Sequence, residues 1–419
     1  MDNRTFSTRV ATRVATRVAT RVATRTVHAG EHLPHPGGTP VVSPIHPSVG
    51  YTFPDSRDLD AVLGNQKEGF VYSTRYHNPT LHAFETAVAD LEGGQAAYAF
   101  SSGMAAIHMA LLAAGVRAGS HVVAAADVYG ATFSLLNQLF TELGVTVHFV
   151  DILNLDEVHT ALTTHAPTVL FAETISNPLL KVANLPELAA LAHANGALFL
   201  VDNTFCSPYL CTPLQHGVDM VIHSATKYLS GHGDVMAGVV VSNADLREKM
   251  FTLNKLVGSS MGPFEAWLAL RGLKTLALRL RQQCENALTL ATWLKTHPKI
   301  THVHYPYLPE HPQHALARTL TGGRGGGGVL SFTLSGAGRT PAGREQVFAF
   351  MDALQLIQPA TTLGDLYTLV LYPAISSHRG LTPAQRHTLG IGENLVRLSL
   401  GIEDAADIRA DLEQALGVD

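Results

Sequence analysis

The stretch Val221–Gly233 reads Val-Ile-His-Ser-Ala-Thr-Lys-Tyr-Leu-Ser-Gly-His-Gly. It ends an apolar, strand-like run (Met220, Val221, Ile222) with small hydroxyl residues, one lysine and then glycines. Lys227 thereby stands beside Ser224 and Thr226 at the end of a run patterned for burial. Burial lowers a lysine pKa, and a neutral amine can form a Schiff base with an aldehyde. The flanking hydroxyls suit hydrogen bonds to a phosphate. A lysine after a strand is more often a surface charge, so this reading depends on what the rest of the chain sets beside it.

Upstream of this stretch, short apolar runs alternate with helical patterns. Strands are expected at 96–100, 121–125, 145–150, 168–172, 197–201, 220–223 and 238–241, with helices at 104–114, 132–143, 155–163 and 186–194 between them. That alternation predicts an α/β fold, a mostly parallel central sheet in a large domain over 78–276. Downstream, a helical pattern from Glu265 to Leu294 leads into a smaller α+β domain over 277–419, with strands near 329–334 and 395–400 and helices near 344–354 and 406–416. The glycine run Gly322–Gly328 precedes a strand and lacks the Lys-Ser/Thr end of a phosphate loop, so it reads as a turn.

Residues 1–25 carry a Val-Ala-Thr-Arg repeat, read as a low-complexity, disordered tail. Residues 26–77, rich in Pro, Gly and His, read as an extended arm that contacts a neighbouring subunit.

With 419 residues, 46% hydrophobic and 15% charged, the chain has ample core for two or three domains. A formal charge of −5 gives no case for nucleic acid or an anionic membrane as partner. No apolar run reaches the roughly 18 residues of a membrane span. Three cysteines without a CxxC pair exclude a disulfide framework and a cysteine zinc site, and the chain is expected to be cytoplasmic.

Open α/β sheets bind ligands beyond the carboxyl ends of their strands. The polar groups expected there are Ser101-Ser102-Gly103-Met104 opening a helix, Tyr129-Gly130, Glu173 with Asn177-Pro178, Asp202-Asn203-Thr204, and then Ser224, Thr226 and Lys227. An anion cradle at a helix start, an aromatic ring, a carboxylate and a lysine are what a pyridoxal phosphate site requires. Singly, each has a plain alternative: a turn cap, a core ring, an ordinary helix start. Their joint occurrence in strand order argues for the site.

These motifs, together with Asn78-Pro79-Thr80, Tyr228, Ser230-Gly231-His232-Gly233-Asp234 and Val396-Arg397-Leu398-Ser399, resemble the Cys/Met-metabolism family of pyridoxal phosphate (PLP) enzymes. That family includes cystathionine γ-synthase, cystathionine and methionine γ-lyases, and O-acetylhomoserine sulfhydrylase. The resemblance implies a fold-type I enzyme, a homotetramer of intimate dimers with shared active sites. It assigns Lys227 as the covalent anchor and proton shuttle and Asp202 as the partner of the ring nitrogen. Tyr129 becomes the stacking ring and proton relay, and Gly103, Met104, Ser224 and Thr226 the phosphate ligands. Arg397 is assigned to the substrate carboxylate, with Thr362, Asn177 and Glu173 on the substrate side. From the arm, Arg75 and Tyr72 reach the phosphate of a neighbour's site, although Tyr72 lies one residue further upstream than the family spacing.

The same likeness frames the reaction. γ-Elimination gives 2-oxobutyrate, ammonia and a thiol; capture of the intermediate by a thiol gives γ-replacement on an O-acyl-homoserine. Cystathionine-handling relatives tend to carry a glutamate before Ser-Leu-Gly-Gly, whereas this chain reads Thr361-Thr362-Leu363-Gly364-Asp365. Ala131 stands where well-known methionine γ-lyases have cysteine. The expectation is a γ-lyase, with γ-replacement next and an aminotransferase-like enzyme or non-catalytic PLP protein as the alternative of another class. The stretch containing His302, His304, His311 and His314 lacks metal-ligand spacing, and no metal is expected.

Overall fold

Strands β1 (Ala96–Phe100), β2 (His121–Ala125), β3 (Thr146–Val150), β4 (Val169–Glu173), β5 (Leu198–Asp202), β6 (Met220–His223) and β7 (Gly238–Ser242) form one sheet in the order β1-β7-β6-β5-β4-β2-β3. The pairs among β2 to β6 are parallel, while β7 runs antiparallel to both β1 and β6. Every residue of β4, β6 and β7 is buried. That is why these strands appear in the sequence as unbroken apolar runs rather than alternating ones. The computed structural model describes residues 21–31, 40–64, 66, 67, 69–73, 77–336 and 341–417.

The connections follow their local signals. Helix Pro79–Glu92 starts where Asn78 accepts from the N–H groups of Thr80 and Leu81, and stops at Gly93, which has φ 73°. Helix Gly103–Ala113 is capped by Ser102, whose hydroxyl accepts from Ala105 N–H at 3.1 Å. It packs on β6 and β7. Helix Leu155–His165 packs on β2 and β3.

The second sheet runs β10-β11-β12-β9-β8, built from β8 (Ile300–His304), β9 (Val329–Leu334), β10 (Gln358–Pro359), β11 (Leu369–Leu371) and β12 (Leu395–Ser399). Helix Leu276–Leu294 packs on β8, β9 and the C-terminal helix Ala405–Gly417. One hydrophobic cluster continues through both sheets.

Three expectations need correction. Residues 21–25 belong to no disordered tail: helix Val22–His28 buries Thr26, and Arg25 pairs with Asp90 at 3.2 Å. The rest of the repeat, residues 1–20, lies outside the described residues. The arm is not uniformly extended either, because Asp55 caps a helix over Ser56–Leu63. The pattern Glu265–Leu294 is two helices, Pro263–Leu273 and Leu276–Leu294. Arg279 holds the break, donating to Gly272 O at 2.8 Å and to Thr275 Oγ1 at 3.0 Å. Gly272 lies so close to the Ser230 carbonyl that a Cβ would stand 2.1 Å from its oxygen.

Candidate active site

The carboxyl ends of β4, β5 and β6 open into a cavity of about 420 Å³. Its wall takes in Glu173 and Asp202 at the ends of β4 and β5, with Ser224, Thr226 and Lys227 just beyond β6. Gly103 and Met104 enter from the start of helix Gly103–Ala113, Tyr129 and Asn177 from loops, and Arg397 from β12 of the second sheet. Residues far apart in the chain thus meet at one cavity.

Backbone bonds fix the turn that carries the lysine. Lys227 N–H donates to Ser224 O at 3.1 Å, and Thr226 Oγ1 accepts from Ala237 N–H at 2.9 Å. The Lys227 amine donates to Thr362 Oγ1 at 2.8 Å. Burial, reinforced by the charge of Arg397, holds the Lys227 pKa below the ordinary lysine value, while Asp365 pulls the other way. The amine is therefore easier to deprotonate than one in water, as Schiff-base chemistry requires.

Asp202 Oδ1 accepts from Thr204 N–H at 2.9 Å, and Thr204 Oγ1 accepts from Ser224 N–H at 2.8 Å. These two bonds lock adjacent strand ends together. Burial pushes the Asp202 pKa up, opposed by the Thr204 bonds and the nearby His223. Glu173 pairs in register with Asp202 across β4 and β5. Burial and its neighbour's charge drive Glu173 well above the carboxylate range. Glu173 Oε1 accepts from Tyr129 N–H at 2.5 Å, which anchors the loop carrying that ring.

Arg397 is 3% exposed. Its guanidinium donates to Asn177 Oδ1 at 3.0 Å and to Thr362 O at 3.1 Å, while Nε meets no partner among the described residues. A buried donor without a partner is costly, so this fork is suited to a carboxylate.

The groups present fit pyridoxal phosphate. The amine, the strand-end carboxylate and the aromatic ring face one cavity, and the first turn of a capped helix closes it beside the Ser224 and Thr226 hydroxyls. A Cβ on Gly103 would stand 2.7 Å from Ser224 Cβ, so only glycine allows that helix start to approach so closely.

Of the remaining expected site residues, Thr362 is present through its contacts to Lys227 and Arg397. Tyr72 lies outside its own chain's cavity, bridged to Gly50 and half exposed. Arg75 lies outside the described residues.

A mostly parallel α/β sheet with a lysine, a carboxylate and an anion cradle at its strand ends defines a fold-type I PLP enzyme. The family model described as Cys/Met metabolism PLP-dependent enzyme matches residues 23–417, and the chain belongs to that family. An L-methionine gamma-lyase from Fusobacterium nucleatum is 41% identical over 393 residues, 93% of this chain and 96% of that protein. An O-succinylhomoserine sulfhydrylase from Pseudomonas aeruginosa is 40% identical over 366 residues, 87% of this chain and 88% of that protein. The crystal structure of cystathionine gamma synthase from Xanthomonas oryzae pv. oryzae, in complex with aminoacrylate and cysteine, matches with TM-score 0.87 at 37% identity. That match covers 95% of this chain and 98% of that one. The protein is thus a PLP-dependent enzyme of sulfur amino-acid metabolism that acts on a small amino-acid substrate.

Two features of the site were not read from the sequence. Asp365 is 5% exposed and acts on both Lys227 and Arg279, yet it was noted only as part of a loop motif. Beneath the strand ends, His223 Nε2 lies 2.6 Å from Glu92 Oε1, and Asn203 Nδ2 donates to the same oxygen at 3.0 Å. No local spacing marks a pair 131 residues apart.

Proposed function

We propose that the enzyme catalyses γ-elimination on a sulfur amino acid of the methionine or cystathionine type, releasing 2-oxobutyrate, ammonia and a thiol. The observation that carries this reading is the apolar part of the cavity's lining, formed by Ile107, Phe205, Met236, Leu363 and Leu371. Such a wall accommodates a thioether chain and offers no carboxylate to a distal ammonium. Asp365, the acid nearest in sequence, is buried beside Lys227 and Arg279. Within the reading, the wall favours methionine over cystathionine.

Each residue has a task in this reaction. Arg397, oriented by Asn177 and by the Thr362 carbonyl, grips the substrate carboxylate through its fork. Bound at Lys227, PLP supplies an electron sink that eases removal of the Cα proton. Once the substrate amine has displaced it from the cofactor, the Lys227 amine, held in place by Thr362 Oγ1, would take the Cα proton and then a Cβ proton, whose bonding pair expels the γ-sulfur. Tyr129, oriented by Glu173 through its backbone N–H, delivers a proton to the departing sulfur. Asp202 would keep the ring nitrogen of the cofactor protonated, and Gly103, Met104, Ser224 and Thr226 would hold its phosphate.

The proposed assembly is a cytoplasmic homotetramer in which the arm's Tyr72 and Arg75 reach a neighbour's phosphate. Tyr72 being half exposed and outside its own cavity agrees with that role, as do exposed Leu256, Val257 and Phe264 on the surface. Among the described residues no helix is long and apolar enough to cross a membrane.

γ-Replacement on an O-acyl-homoserine is the second reading, favoured by the likeness to the O-succinylhomoserine sulfhydrylase. Incubation with methionine, with cystathionine, and with O-acetyl- or O-succinylhomoserine plus sulfide separates the two. 2-Oxobutyrate and a free thiol from methionine support elimination; a new thiol amino acid from the ester, without 2-oxobutyrate from methionine, selects replacement. An amino-group transfer product alone would move the enzyme to the aminotransferase class.

A further inference from the structure

At the β2–β3 edge of the first sheet, three histidines converge from three elements. His121 opens β2, His148 lies in the middle of the edge strand β3, and His165 ends helix Leu155–His165. Each offers a ring nitrogen, and these nitrogens all lie within 4.8 Å of one another. His121 Nδ1 and His148 Nε2 are 3.0 Å apart. All three side chains are half-buried, open enough for an ion to enter and fixed enough to stay together. None of them lines the active-site cavity.

We propose that His121, His148 and His165 form a binding site for a borderline divalent transition cation, Zn²⁺ being the representative. Imidazole nitrogens are strong ligands for Zn²⁺, Cu²⁺ and Ni²⁺. On a tetrahedral Zn²⁺, nitrogens at roughly 2.0–2.1 Å stand about 3.4 Å apart, near the 3.0 Å between His121 Nδ1 and His148 Nε2 and within the 4.8 Å that spans the three. Three imidazoles leave the fourth position to water.

The present ring arrangement also says what binding must change. His148 and His165 stack with centroids 3.6 Å apart and planes 8° from parallel. Parallel stacked rings aim their in-plane lone pairs side by side rather than at one point. His121 lies within 7° of parallel to both of the others, so at least two of the rings must turn about their Cβ–Cγ bonds to converge on the ion, trading the stack for metal bonds.

Bound there, the ion ties the end of helix Leu155–His165 to β2 and the edge strand β3. Its effect is therefore on stability, read without any substrate.

The test uses the PLP-loaded enzyme dialysed against Zn²⁺, compared with a His121→Ala/His148→Ala/His165→Ala variant that retains the other histidines. The wild type is expected to hold one more Zn²⁺ per chain than the variant. Its thermal midpoint should also rise with Zn²⁺ while the variant's does not. His148→Ala alone should weaken binding by at least about tenfold. Equal Zn²⁺ content in wild type and variant would overturn the proposal. Retention of the cofactor's visible absorbance shows that the variants fold. Anomalous diffraction at the zinc edge on Zn²⁺-soaked wild-type crystals gives an answer independent of any variant: a peak between the three rings supports the site, and its absence refutes it.

Discussion

The Lys227 amine and the Thr362 hydroxyl, 135 residues apart, are joined by a 2.8 Å hydrogen bond that ties the turn after β6 to the loop leading into β11. The bond holds a long, flexible side chain at one point of the cavity, where burial and Arg397 keep its pKa below the ordinary lysine value. Lys227→Ala is expected to lose both the visible absorbance of the bound cofactor and all measurable turnover. Lys227→Arg should do the same, because guanidinium does not deprotonate in this range. Turnover surviving in both variants would refute the assignment.

Arg397→Lys keeps the charge at the site but removes the fork. Two parallel bonds to a carboxylate become one, and Asn177 Oδ1 and Thr362 O lose their donors. Charge-assisted hydrogen bonds contribute about 1.5–3 kcal/mol each, so kcat/KM is expected to fall by roughly 10- to 100-fold. Steady-state kinetics at fixed pH should locate most of the change in KM. An unchanged KM would place the substrate carboxylate elsewhere.

Tyr129→Phe separates stacking from proton transfer, since the ring stays and the hydroxyl goes. A positioned general acid contributes about 10²–10⁴-fold. Elimination should slow by that order, with cofactor absorbance and cofactor retention unchanged. Turnover at the wild-type rate in the variant would mean that the ring alone carries the role.

How much of this was legible depends on range in sequence. The seven strands of the first sheet are short, mostly apolar runs, all but β6 and β7 separated by helices, so each announces itself locally, and Asp202 and Lys227 follow from their places at strand ends. Strand β8 did not, because Ile300–His304 reads Ile-Thr-His-Val-His and exposes Thr301 and His302. Helix Ser56–Leu63 is too short for periodicity to stand out in a proline-rich arm. The Glu92–His223 pair and the three-histidine cluster are products of topology: His121 meets His148 only because β2 and β3 pair in parallel.

Glu92 and His223 are both sealed from solvent, at 0% exposure each. Glu92 Oε1 serves His223 and Asn203 together, and Asn203 Oδ1 in turn accepts from Thr174 Oγ1 at 2.8 Å. Glu92→Ala leaves two buried polar groups without their acceptor. Leaving a buried donor without its acceptor costs about 1–3 kcal/mol. Denaturant unfolding of the PLP-loaded enzyme should show a midpoint lowered accordingly, and a change under about 1 kcal/mol would mean that the network relaxes around the gap.

Glu85 gives the fold a pH dependence of defined sign. Its carboxyl is 7% exposed and accepts from Ala99 N–H at 2.9 Å. Burial pushes its pKa from 4.5 up to about 7, against the pull of Arg247 and of that N–H. A raised folded pKa means that the native state binds a proton the unfolded chain has already released. The contribution is fully present below pH 4.5 and is lost as pH rises through about 7. The gap corresponds to about 3 kcal/mol. His77, pushed down to about 4 by burial and Arg247, slopes the other way, losing stability as pH falls below 6.5. The raw profile therefore mixes the two, whereas the difference between wild type and Glu85→Gln isolates the carboxyl. Glutamine keeps an acceptor for Ala99 N–H and cannot ionise. Unfolding measured from pH 5 to 8 should show the variant gaining on the wild type as pH rises, and parallel curves would mean that Glu85 ionises at an ordinary pH.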